Sequence, residues 1–220
     1  MRTITSARLV LRPWEAGDAD FLLDLEGRWE VVRYLGADPT TMTSRSQALA
    51  SIERRRAISE HPVHGIWVIT DQAGARLGNL LLKPIPLSAG EDPSDPADVE
   101  IGWHLHPDRW GHGYATEAAR AASVDAFARG QSRIIAVTHP DNHASQAVCR
   151  RIGMRHLGAT TRYMDTSCEL FELTRDGRAL LPPGGGHRAL GTTYVVSASP
   201  GCRPFRGRPG LRTSLVRMRF

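Results

Sequence analysis

Glu100-Ile-Gly-Trp-His-Leu-His-Pro-Asp-Arg-Trp-Gly-His-Gly-Tyr-Ala-Thr-Glu-Ala118 decides how the whole chain is read. Its spacing predicts a strand over 99–106 that stops at Pro107, a glycine-containing turn over 108–113, and a helix from 114 to about 129. A helix opening directly from a turn leaves its first backbone N–H groups without intrahelical acceptors. With the positive end of the helix dipole, those groups make an anion site that suits a diphosphate. Gly111 and Gly113 allow positive φ and let a phosphate oxygen approach the backbone. A dinucleotide fingerprint is the rival reading. Gly111-x-Gly113-x-x-Thr116 lacks its third glycine, and the next strand, 133–138, ends on Thr138-His139 with no acidic residue.

Outward from this stretch the pattern alternates strands and helices. Residues 8–12 alternate and stop at Pro13, as a short first strand does. Helical spacing covers 18–26, with Phe21, Leu22 and Leu25 on one face, a further turn over 30–35, and 44–58, where Ser44 is a predicted N-cap. Residues 64–70 and 76–86 form a predicted hairpin around 71–74, and 87–97 reads as a loop. After 133–138 come a short helix over 144–151, closed by Gly153, and an antiparallel pair over 154–164 and 168–174.

From Pro182 the periodicity stops. Residues 182–220 hold seven arginines and no Asp or Glu, so the net charge of +5 belongs to this Gly/Pro/Arg-rich tail and residues 1–181 carry about −2. The expected organisation is one domain over 1–181 and a disordered basic tail over 182–220, with a short strand near 192–196 as an option. The tail also offers a contact for RNA or ribosomes. No apolar run reaches membrane-spanning length and no secretory leader is recognisable, so a cytoplasmic protein without membrane contact is expected. Cys149, Cys168 and Cys202 are scattered and the nine histidines lack paired ligand spacing, which points to free thiols and no metal.

Three blocks carry a resemblance. Trp110-Gly111-His112-Gly113-Tyr114-Ala115-Thr116-Glu117-Ala118 resembles the acetyl-CoA pyrophosphate loop of the GNAT N-acetyltransferase superfamily. Within it the stretch is similar to the ribosomal-protein N-terminal acetyltransferase (RimJ/RimL-like) branch, although Trp110 stands where the superfamily usually has Gln or Arg. Asn142-His-Ala-Ser145-Gln-Ala-Val-Cys-Arg-Arg-Ile-Gly153-Met154 resembles that superfamily's Asn-x-x-Ser helix and Gly-Phe, with Met in place of Phe. Arg8-Leu-Val-Leu-Arg12-Pro resembles the branch's first strand. Together the blocks span residues 8 to about 175.

The resemblance implies the α/β GNAT fold, a mixed and mostly antiparallel sheet of 6–7 strands flanked by helices and splayed between the fourth and fifth strands. It implies acetyl-CoA as co-substrate, with Trp110, Gly111, His112, Gly113, Tyr114, Ala115 and Thr116 around the diphosphate. Leu105 and its neighbours would line the thioester, where a backbone N–H stabilises the oxyanion. Asn142 would bind the pantetheine amides or cap the following helix. The expected reaction is direct attack by a primary amine, of a peptide N-terminus or a small molecule, in a ternary complex formed by a monomer or homodimer.

Attack by an amine needs a base. Glu100 is the first candidate because burial raises a carboxyl toward neutrality. His104 shares its strand face and is the second. The departing thiolate needs a proton or a hydrogen bond, from Ser145 by resemblance or from Cys149, which occupies a position where many relatives have Tyr. Without a working base and acid the same fold would serve as a non-catalytic acyl-CoA sensor.

Overall fold

The computed structural model describes residues 2–92 and 98–178. Expectations for 182–220, including the strand near 192–196 and the RNA contact, lie outside the described residues. The elements in chain order are β1 (Ile4–Thr5), β2 (Leu9–Pro13), α1 (Ala19–Glu26), α2 (Trp29–Val32), α3 (Arg45–Ile58), β3 (Gly65–Asp71), β4 (Arg76–Pro84), β5 (Val99–Leu105), α4 (Tyr114–Ala128), β6 (Arg133–Thr138), α5 (His143–Arg151), β7 (Arg155–Thr160), β8 (Cys168–Thr174) and α6 (Arg175–Arg178). Short 3₁₀ turns precede α1 at Ala16–Asp18 and follow β5 at Pro107–Arg109.

One sheet of eight strands runs β1-β2-β3-β4-β5-β6-β8-β7. It is antiparallel from β1 to β5 and from β6 to β7, with one parallel junction between β5 and β6. The expected 6–7 strands rise to eight because Ile4 and Thr5 pair with Leu11 and Val10, a contact too short for any sequence period to announce. The last hairpin is shorter than 154–164 because the chain turns away after Thr160, reaching positive φ at Met164 and Asp165.

Both faces of the sheet are covered. Leu9, Leu11, Trp67, Ile69, Leu80, Ile101 and Leu105 pack with Ala118, Ala119, Ala122 and Ala126 of α4 and Val148 and Ile152 of α5. On the other face Ile66 and Val68 pack with Trp14, Ala19 and Leu22 and with Ala48 and Ile52 of α3. The alternation within β3 thus feeds two cores, which is why nearly all of that strand is buried. The alanines of α4 bring its axis close to the sheet. Ser44 caps α3 as its sequence predicts, accepting from Gln47 N–H in a reciprocal capping box.

Candidate active site

The turn after β5 begins with Pro107, and Trp110 N–H closes it on Pro107 O at 3.0 Å. Gly111 and Gly113 then take φ of +80° and +77°. A Cβ at Gly111 would meet nothing within 4 Å, so the cost of a side chain there is backbone strain rather than crowding. Gly113 is the N-cap of α4 and offers no side-chain acceptor. The first helical bond is Glu117 N–H to Gly113 O at 3.1 Å. Among the described residues, the N–H groups of Tyr114, Ala115 and Thr116 have no acceptor. They open on a cleft of about 1480 Å³ lined by Arg109 through Glu117. Free amides facing an open cleft are what the anion-site reading of the motif requires.

Ser6 and Arg8, far away in sequence, hold this turn. Arg8 Nε donates to Glu117 Oε2 at 2.7 Å, Arg8 Nη1 donates to His112 O at 3.2 Å, and the guanidinium lies 4.9 Å from the Tyr114 ring centre. Glu117 Oε1 also accepts from Ser6 Oγ and Arg8 N–H, both at 2.8 Å. Burial alone would raise the Glu117 carboxyl; these donors overcome it and hold the group below its ordinary range. His112 stacks on Tyr114 with ring centres 5.5 Å apart. Trp110, 48% exposed, donates its ring N–H to Leu105 O at 2.9 Å and so braces the loop against the end of β5.

β5 and β6 share a single bridged pair, Glu100 with Ile135, and part beyond it. This is the expected splay, between the predicted strands over 99–106 and 133–138. His106 N–H donates to Leu77 O at 2.9 Å, and β5 pairs with β4 without interruption from Val99 to Leu105. By antiparallel alternation, the amides of Trp103 and Leu105 therefore face the splay rather than β4. An edge with free backbone donors lies beside the cleft that holds the loop, where Leu105 was expected.

A second cleft, of about 370 Å³, opens on the α1 side. It meets the first at Tyr34, Leu35, Trp103, His104, Asn142 and Ser145, which line both. Register with β4 is unbroken between Glu100 and His104, so their shared face stands, and both line this second cleft. Glu100 is 8% exposed, and its Oε1 accepts from Lys83 Nζ at 2.8 Å. Burial raises its carboxyl and Lys83 only partly opposes the rise.

His104 Nε2 lies 3.0 Å from Glu26 Oε1, the atom that also accepts from Arg55 Nη2. Burial would raise the Glu26 carboxyl, yet the contacts with His104 and Arg55 take it down to about 2. An ionised carboxylate only accepts, so Nε2 carries a proton, and in the neutral ring the lone pair is then on Nδ1. Two residues on, His106 Nε2 meets Asp24 Oδ2 at 3.1 Å, a second tie between β5 and α1.

Asn142 is the N-cap of α5: its Oδ1 accepts from Ser145 N–H at 3.1 Å, which realises the capping role while the side-chain nitrogen remains available in the cleft. The Ser145 hydroxyl makes no hydrogen bond among the described residues and stands where the clefts meet. Cys149 does not join them. It is fully buried among the core residues of α4 and α5, lines neither cleft, and burial pushes its thiol up to about 12, so it is no proton donor here. Trp67 is likewise core, Trp29 is exposed and lines neither cleft, and Trp103 lines both. Of the elements expected around the acceptor, the N-terminal helices contribute Glu26 and Arg55 and the final hairpin Met164. No described residue of the 87–97 loop lines the cleft. Among the described residues no cluster of His, Cys, Asp or Glu could hold a metal ion.

Sequence reading missed Glu26, Arg55 and Lys83 altogether. Each belongs to a different element, and no local spacing links them.

Comparison with known proteins agrees with this geometry. Residues 8–155 match the family described as acetyltransferase (GNAT) domain. The chain is 30% identical over 158 residues to the uncharacterized N-acetyltransferase YoaA of Bacillus subtilis (strain 168), covering 71% of this chain and 85% of that protein. In fold it is similar to Mycobacterium smegmatis RimJ in complex with CoA-disulfide, with a TM-score of 0.64, 22% identity and coverage of 80% and 88%. It is also similar to RimL, a ribosomal L7/L12 alpha-N-protein acetyltransferase in complex with coenzyme A, with a TM-score of 0.65, 20% identity and coverage of 80% and 99%.

Proposed function

The chain belongs to the acetyltransferase (GNAT) domain family and is an N-acetyltransferase; from that premise we propose that it moves the acetyl group of acetyl-CoA to a primary amine by direct attack in a ternary complex. The larger cleft is the donor side. The free amides of Tyr114, Ala115 and Thr116 take the diphosphate, Asn142 and the open edge of β5 take the pantetheine arm, and the smaller cleft takes the amine. The single observation that carries this reading is the junction of the two clefts beside the β5–β6 splay, where an amine from one side can reach a thioester from the other.

The chemistry follows from the groups at that junction. An ammonium must first lose a proton, and His104, which lines both clefts, offers the lone pair of its neutral ring. Glu100 lies four residues away, about 13 Å along the strand, on the acceptor side alone and paired with Lys83. It suits orientation of the acceptor better than deprotonation. The amine nitrogen bonds to the carbonyl carbon, a backbone N–H of β5 near Leu105 holds the oxyanion, and a second proton leaves the nitrogen for solvent as the C–S bond breaks. The Ser145 hydroxyl donates a hydrogen bond to the departing sulfur, which is then protonated from water.

The test is isothermal titration with acetyl-CoA followed by a thiol-release assay against peptides with free N-termini, amino acids, polyamines and aminoglycosides. Saturable acetyl-CoA binding and thiol release with at least one class are expected. Binding without release from any class would make the protein an acyl-CoA sensor instead.

A further inference from the structure

The groups that determine which proton His104 carries lie in a closed ring of contacts that sequence spacing does not reveal. From His104 the ring passes to Glu26 at the end of α1, and from Glu26 to Arg55 of α3. The Arg55 guanidinium lies 5.2 Å from the Trp14 ring centre, and Trp14 Nε1 donates to Asn79 Oδ1 at 3.0 Å in a buried contact. Asn79 is the β4 residue directly opposite His104, which closes the ring. Glu26 is 15% and Arg55 12% exposed at the side chain, so neither is free to choose other partners. A carboxylate fixed in this way dictates both the tautomer and the ring plane of the imidazole it accepts from.

We infer that Glu26 is a positioning residue for acetyl transfer: it fixes His104 with Nε2 protonated and Nδ1 free at the junction of the two clefts. The inference rests on the acetyl transfer proposed above and on His104 as its base. The proton from the amine moves to Nδ1, the transient imidazolium is stabilised by the Glu26 carboxylate through Nε2–H, and the proton then passes to solvent; Glu26 itself never takes it. The other charged or titratable groups on this side are Tyr34 just after α2, Arg55 from α3, Lys83 from β4, Glu100 from β5 and His139 beyond β6. Two of them are already paired, Lys83 with Glu100, and Arg55 is the partner of Glu26 itself.

The chain supplies its own control. His106 and Asp24 make the same kind of contact on the same strand and helix, but neither lines a cleft, and Asp24 is half exposed and also paired with Arg28. A merely structural tie between β5 and α1 would make the two pairs equivalent.

Steady-state kinetics of the full chain with the best amine of the acceptor panel test this. Glu26→Gln is expected to lower kcat about 30- to 100-fold while the KM for the amine and the Kd for acetyl-CoA stay within about twofold. Asp24→Asn should change kcat by less than about twofold. In a His104→Ala background, adding Glu26→Gln should change little more, since the two act as one unit. If Glu26→Gln alone does not fold, the pair Glu26→Gln with Arg55→Met removes both buried charges and carries the same expectation. A folded variant with wild-type kcat overturns the inference; so does an equal loss from Glu26→Gln with and without His104. A wild-type protein that releases no thiol with any amine overturns the acetyl-transfer reading first and this one with it, so the two failures are told apart by the wild-type arm.

Discussion

The two clefts are built by opposite means. The part of the larger cleft proposed for the donor's diphosphate and pantetheine offers backbone groups: amides at the start of α4, amides along the free edge of β5, and two glycines that keep side chains out of the way. The smaller cleft, proposed for the acceptor, is lined by side chains from separate elements, Glu26 of α1, Arg55 of α3, Lys83 of β4 and Glu100 and His104 of β5, with Glu26 paired to Arg55 and Glu100 to Lys83. A backbone site depends on local conformation and tolerates many side chains around it. A side-chain site depends on which elements meet, and one substitution can leave a buried charge without its partner.

The largest expected effect tests the backbone half. Gly111→Asp with Gly113→Asp puts two negative charges and two strained residues in the loop, and acetyl-CoA affinity should fall more than about 100-fold by titration. Retained affinity in a folded double variant would remove the donor site from this place. On the side-chain half, His104→Ala should lower kcat about 100-fold or more with acetyl-CoA binding within about twofold. A larger loss from Glu100→Gln than from His104→Ala would move the base to Glu100.

Acid should disturb the side-chain half in a predictable direction. Glu26 and Asp18 both titrate near 2 in the folded chain, Glu26 through His104 and Arg55 and Asp18 through Arg12 and Arg76, in each case against the effect of burial. Because the folded values lie below the unfolded ones, each contributes stability that is complete above about pH 4.5 and is lost as pH falls toward 2. That contribution is on the order of 2–3 kcal/mol per group. Urea midpoints of Asp18→Asn and the parent should therefore differ clearly at pH 7 and converge near pH 2. Smaller still, Ser145→Ala should lower kcat about tenfold, the usual scale for one hydrogen bond to a leaving group. Arg8→Ala, which unties the loop without removing an amide from it, should weaken acetyl-CoA binding only about three- to fivefold.

The contrast also explains what was legible. The loop from Trp110 to Thr116 could be read because strand, turn and helix follow one another in the chain, and the N-terminus of a helix is an anion site wherever it is solvent-accessible. Asn142 and Ser145 could be read for the same reason, being one cap and one turn of a single helix. That Glu100 and His104 share a strand face was legible, and both line the smaller cleft. Alternation gives the face of a strand, and it says nothing of Lys83 meeting one residue and Glu26 the other. Cys149 looked available from spacing alone; its place on the buried face of α5 is a fact of packing against α4 and the sheet. The strand Ile4–Thr5 escaped notice because two residues carry no period.

By itself the chain's sequence determined the order of strands and helices and the glycine turn that opens α4, because each is encoded over a few neighbouring residues through periodicity, capping and backbone freedom; the parting of two strands was implied only by the resemblance. Tertiary structure alone decided which carboxylate faces which imidazole, that the thiol is core, and that the two clefts meet at His104 and Ser145. Those outcomes depend on contacts between residues as much as 78 positions apart, as in Glu26 and His104. Only packing of α1 and α3 across the sheet brings such partners together.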